Sequence, residues 1–112
     1  MIKTKENSEH YFWGDQCESW VLNGSENLSV KSEKMPPKTK EVLHFHMKAQ
    51  QFFYILKGVA SFHIEDKVFQ VEENQGIEIT AGKKHFIANN SLEDLEFLVI
   101  SQPDTKEDRF SV

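Results

Sequence analysis

The feature that most constrains this chain is how often it is punctuated. Turn signals recur at roughly the 8–12-residue spacing of short strands. Between them apolar residues alternate with polar ones, the period of a strand with one buried face. No window sustains the period of about 3.6 residues that an amphipathic helix requires. Cys17 to Leu22, with Trp20 and Leu22 on one face, stops at Asn23-Gly24. Leu28 to Met35 sets Leu28 and Val30 against Ser29 and Lys31 and breaks at Pro36-Pro37. Further strands are expected over Glu41 to Met47, Gln51 to Lys57, Val59 to Glu65, Val68 to Val71, Ile77 to Ile79, His85 to Asn89 and Leu95 to Ser101. About nine short strands without an internal repeat predict an all-β sandwich or barrel. A single domain over residues 1–112 is expected, with its barrel core at about 17–101. Tyr11-Phe12-Trp13 should cover a core edge, and a polar tail begins at Gln102.

Composition narrows the class. The 112 residues are 38% hydrophobic, enough for a packed core in one domain. The net charge of -5 argues against nucleic-acid binding, which needs a basic footprint. No apolar run is long enough to span a bilayer, so no membrane partner is expected. Met1 to Asn7 has no apolar signal region, and the lone Cys17 excludes an internal disulfide. A cytoplasmic protein is expected. Asn23, Asn27 and Asn89 begin glycosylation patterns that matter only on a secretory route.

The chemistry concentrates between His44 and Gly58. His44 and His46 stand at i and i+2, on one strand face about 7 Å apart, where two imidazoles can converge on one ion. Met47 to Gln50 has a common hairpin length, so the chain is expected to return as the antiparallel neighbour of the histidine strand. Gln51 then heads the returning strand on the histidine side, followed inward by Phe53 and Ile55. A third histidine, His85, lies far along the chain. These four are taken as one site. Glu41 and Tyr54 fall off the inner face by the same alternation.

At these residues the chain resembles the cupin superfamily, in particular its small single-domain members. Their first motif is His-x-His, three or four residues, Glu, six residues, Gly; His44, His46 and Gly58 fit it. The six residues before Gly58 place Gln51 at the Glu position. The second motif is Pro-x-Gly, two residues, His, three residues, Asn; Gly82, His85 and Asn89 fit its latter part. Val59 to Glu73 is similar to the short linker of small microbial cupins. Four positions depart from the pattern: Gln51 replaces Glu, Lys38 replaces a Gly, Thr80 replaces a Pro, and the Gly opening the second motif is Asn74 or is displaced to Gly76.

The resemblance implies an antiparallel double-stranded β-helix, a jelly-roll barrel, with a metal held by His44, His46, Gln51 and His85. Three imidazoles suit Zn, Fe, Ni or Cu better than Mg or Ca, and a divalent transition metal such as Zn, Fe, Ni or Mn is the expected cofactor. Gln51 brings no charge, which leaves the ion more Lewis acidic and favours an anionic small molecule. Alternatively, Gln51 hydrogen-bonds a neighbouring histidine. Isomerisation, cyclisation or oxygenation of a small polar molecule is the implied activity. A non-enzymatic small-molecule-binding barrel and a metal-free sugar epimerase are the competing readings.

Bland roles are assigned elsewhere. Phe53, Ile55, Phe62, Ile64, Ile77, Ile79, Phe97 and Val99 read as core and pocket wall. His10 and His63 are read as non-ligands, and Cys17 as buried and inert. Lys83-Lys84 reads as a solvated loop, with the option of drawing anions to the mouth, and Asp108-Arg109 as pairing with a neighbour or doing nothing. The second apolar face of Phe52, Tyr54, Leu56, Leu98 and Ile100 needs cover, which a homodimer would supply.

Overall fold

The computed structural model describes residues 1–112. Its strands are β1 (Glu9–Trp13), β2 (Cys17–Gly24), β3 (Ser29–Met35), β4 (Thr39–Lys40), β5 (His44–Phe45), β6 (Gln50–Lys57), β7 (Ala60–Ile64), β8 (Lys67–Val71), β9 (Gly76–Ile79), β10 (His85–Asn89), β11 (Leu95–Gln102) and β12 (Phe110–Ser111). A single 3₁₀ turn, Lys5–Asn7, precedes them. No helix is long and apolar enough to cross a membrane.

The strands form two antiparallel six-stranded sheets. One runs β1-β2-β3-β11-β6-β9; the other runs β12-β5-β10-β7-β8, with β4 also paired to β10. Neighbours in space are mostly not neighbours in sequence, the winding of a double-stranded β-helix. The nine expected strands all form. The three missed ones are β1, whose alternation is weak, and the two-residue β4 and β12, too short to leave a period.

One local expectation is overturned. The segment after the histidine pair does not return as a hairpin neighbour. β5 pairs with β10 and β12, whereas β6 pairs with β11 and β9 in the opposite sheet. Residues 46–49 therefore cross from one sheet to the other. The histidines and Gln51 still meet, because both sheets turn these residues to the space between them. The expected strand over Glu41 to Met47 shrinks to His44–Phe45, and Glu41 to Leu43 is irregular.

The core fills the space between the sheets. Phe53, Ile55, Phe62, Ile79, Phe97 and Val99 are buried as expected, joined by Met35, Ile87 and Leu95; Ile64 and Ile77 are only partly buried. Phe53 and Phe62 meet edge-on across the sheets with ring centroids 5.0 Å apart, a favoured aromatic geometry. Asn89 is fully buried and donates to the carbonyls of Met35 and Glu93, tying two loops together.

The loop departures find their explanation in backbone conformation. Lys38 (φ 63) and Asn74 (φ 66) are both left-handed, the conformation that favours glycine. The second-motif glycine position is thus Asn74, a residue that tolerates this region. Gly76 lies in β9 and serves packing: an added Cβ would sit 2.4 Å from the Phe52 ring.

Gly58 and Gly82 separate two demands on glycine. Both are left-handed, at φ +91 and +87. A Cβ on Gly58 would lie 2.8 Å from the Asp94 carbonyl oxygen, whereas one on Gly82 meets nothing within 4 Å. Urea denaturation should therefore show Gly82→Ala costing about 1 kcal/mol and Gly58→Ala about 3 kcal/mol. Equal costs would contradict this packing at the β6–β7 turn.

Candidate metal centre

Three imidazoles meet between the sheets. His44 and His85 are Cα partners across β5 and β10, and His46 follows two residues after His44. Ring centroids are 5.0 Å apart for His44 and His46, 4.4 Å for His44 and His85, and 5.4 Å for His46 and His85. One ring nitrogen from each lies within 4.8 Å of the others, close enough to hold a metal ion. All three side chains are buried.

Each ring is anchored through Nδ1. His44 Nδ1 is 2.7 Å from the Val42 carbonyl, His46 Nδ1 2.7 Å from the Asp108 carbonyl, and His85 Nδ1 2.8 Å from the Lys83 carbonyl. A carbonyl only accepts, so each Nδ1 must carry the hydrogen. Each Nε2 is then a bare lone pair, the form in which imidazole binds metals. Burial disfavours the charged imidazolium and lowers all three pKa values, to about 3 for His44 and about 4 for His85. Nε2 of His46 and His85 is buried without a partner. Gln51 faces the same space; its Nε2 donates to Ser101 Oγ at 3.0 Å, and its Oε1 is likewise buried and unpartnered. Buried acceptors left bare together are costly unless something fills the gap, and the three imidazoles could hold a divalent ion.

Asp108, read in the sequence as pairing with a neighbour or doing nothing, organises the loop that carries His46. Its carboxylate accepts from the backbone N–H groups of Met47, Lys48 and Ala49, each at 2.9 Å. These hydrogen bonds outweigh its partial burial and hold its pKa below the ordinary carboxylate value. The same residue's carbonyl receives His46 Nδ1–H. The carboxyl-terminal tail is thereby fastened to the crossover that carries His46.

An open cleft of about 1870 Å³ reaches Gln51 and is lined by Lys31, Glu33, Glu41, Asp108 and Arg109. The three histidines are not among its lining residues. A second, smaller groove of about 710 Å³ between β8 and β9 touches none of them. Ser29, Lys31, Glu33 and Met35 oppose the inward residues Ser101, Val99, Phe97 and Leu95 of β11, so the polar half of the β3 alternation faces inward. Glu41 also lines the cleft, against the expectation that it lies off the inner face; strand alternation does not apply because Glu41 precedes β5. Tyr54 does lie on the outer face, opposite Leu98.

Burial raises the Glu33 carboxyl pKa, although Ser19 hydrogen-bonds to it and Lys31 and Arg109 lie near. Burial likewise pushes Glu41 up to about 7 despite Arg109, whose guanidinium is 3.7 Å away. His10 pairs with Glu18 at 2.9 Å and His63 stacks on Phe86, so neither joins the cluster. Cys17 is buried and its thiol pKa raised, mainly by burial.

The fold is shared with known proteins. A cupin-domain family model matches residues 31–101, and the chain belongs to that family. It is 33% identical over 67 residues to an oxalate-binding protein of Thermotoga maritima, a match over 60% of this chain and 55% of the relative. The chain thus spans about half the length of that curated relative. Its fold is similar to a cupin-superfamily sugar phosphate isomerase of Silicibacter pomeroyi, with a TM-score of 0.82 and 17% identity over 93% of this chain and 76% of that one. It is also similar to the polyketide cyclase RemF of Streptomyces resistomycificus, with a TM-score of 0.81 and 17% identity over 100% of this chain and 86% of that one.

The depressed histidine pKa values fix a sign. The unfolded chain takes up protons near the ordinary value of 6.5, while the native rings stay neutral to about 3 for His44. Their contribution to stability is therefore complete above that ordinary value and is lost as pH falls through this window. In metal-free protein, nitrogen-detected NMR should find the His44 and His85 rings neutral and Nδ1-protonated from pH 7.5 down to 5. Protonation of either ring near pH 6.5 would overturn the assignment.

Proposed function

We propose that this protein is a metal-binding cupin acting on a small polar or anionic molecule, by isomerisation, cyclisation or oxygenation. Carrying the proposal is one observation: three anchored, buried imidazoles bring one ring nitrogen each within 4.8 Å of the others. His44, His46 and His85 would hold a divalent transition ion such as Zn, Fe, Ni or Mn, with the Gln51 oxygen as the fourth ligand. Such an ion, when bound, supplies Lewis acidity and open positions for water or substrate.

The surrounding residues suit an acid–base role at neutral pH. Glu41, with its pKa near 7, can hold or release a proton at its carboxyl group. Glu33 lines the same cleft and is also shifted upward. Arg109 and Lys31 favour an anion there. Binding without turnover is the second reading, supported by the relative named as an oxalate-binding protein. We place the protein in the cytoplasm as a single domain over residues 1–112. We also propose a homodimer, because Phe52 and Leu56 remain 41% and 42% exposed on the outer sheet face.

Elemental analysis of protein purified without a nickel column should give about one metal per chain, abolished by His46→Ala. Sub-stoichiometric metal unchanged by His46→Ala would sink the metal reading. Light scattering on the same samples should report two chains per particle; a monomer across micromolar concentrations would refute the dimer. Turnover of small oxo-acids and sugars then separates catalysis from simple binding.

A further inference from the structure

The histidine centre is closed to solvent. His44, His46 and His85 are 1%, 3% and 1% exposed, and none of them lines either groove. An ion or a small molecule reaches the ring nitrogens only when a wall moves. Every residue from 103 to 110 lines the larger cleft, so the carboxyl-terminal tail is one of its walls. The tail also borders the cluster itself. The Asp108 carbonyl holds His46, and the Arg109 charge is near enough to lower the pKa of all three rings.

This wall is weakly held. Between Pro103 and Val112 only Asp108 is buried, so the tail gains little from apolar packing. β12 meets β5 at two paired positions, whereas β11 meets β6 at seven, so the tail should part long before the sheet does. The Phe110 ring stacks on Phe45 at 5.4 Å, and the Val112 N–H donates to the Leu43 carbonyl at 3.2 Å. Arg109 comes no nearer to Glu41 than 3.7 Å. The main fastening is the Asp108 carboxylate, which accepts from the N–H groups of Met47, Lys48 and Ala49. Those donors belong to the crossover that carries His46. Release of one carboxylate therefore frees the tail, the crossover and the His46 ring together.

We propose that residues 103–112 form a strap that gates the histidine centre, opening as a unit when Asp108 lets go of the crossover. Metal and small molecules enter and leave through that opening. The passage of metal rests on the metal reading above; the opening itself does not.

Hydrogen exchange on metal-free protein tests the opening. The Met47, Lys48 and Ala49 amides should share one opening equilibrium and exchange about 100-fold faster than those of Phe53 and Val99. Phe110→Ala, which touches none of these amides, should speed all three by one common factor. Phe45 and Phe110 are Cα partners, within reach of a disulfide, so Phe45→Cys/Phe110→Cys gives a lock. Oxidation of that variant should slow all three amides about tenfold, and reduction should restore them. Transfer of zinc to and from a chelating dye tests the gate. Uptake and release should slow together in the oxidised variant and quicken together in Phe110→Ala, with the zinc Kd unchanged. Crossover amides that exchange no faster than Phe53 and Val99, or that ignore Phe110→Ala and the lock, overturn the strap. Opening that leaves both zinc rates untouched overturns the gate alone. A weaker Kd in Phe110→Ala with unchanged uptake would instead make the tail a static support of His46. Exchange as expected in a protein that takes up no zinc overturns the metal reading and leaves the opening standing.

Discussion

Three hydrogen bonds from imidazole Nδ1 to backbone carbonyls govern this site. Val42, Asp108 and Lys83 supply the acceptors. Each bond fixes a tautomer and a ring orientation together, and so decides where the opposite nitrogen points. Two of the three carbonyls lie two residues before the ring they hold, so the geometry is local to the loop entering each strand. The third comes from the carboxyl-terminal tail, 62 residues away in sequence. Without these bonds the rings could rotate or exchange tautomers, and the buried bare acceptors would lose their common direction.

The fold supplies what those bonds need. Two sheets wound around one another bring His44, His46 and His85 together and bury Gln51 on the facing sheet, because β5 and β6 belong to different sheets. Phe53, Phe62 and Phe97 pack below and exclude water from one side. Polar residues of β3 and the tail open the other side to a cleft. The result is a polar, solvent-reached end on an apolar core, the usual anatomy of a small-molecule site.

Much of this was legible in the residues. The alternation and turn signals marked nine of the twelve strands, and the His-x-His pair with Gly58, Gly82, His85 and Asn89 marked the cluster. The pairing of β5 was not legible, because a four-residue link reads the same whether it joins neighbours or crosses between sheets. Lys31 and Glu33 were hidden because a strand with one apolar half suggests that half faces inward, and here Val30 faces out. Asp108 left no signal, since its three partners are backbone N–H groups that every sequence provides. Glu41 was misplaced by extending strand alternation into an irregular segment.

The central claim is that three imidazole nitrogens converge on one ion. X-ray absorption at the zinc edge of zinc-loaded protein tests it most directly. The account predicts three imidazole ligands with Zn–N distances of about 2.0–2.1 Å, with the remaining scattering from oxygen. An all-oxygen shell without imidazole scattering, or a sulfur ligand from Cys17, would contradict it.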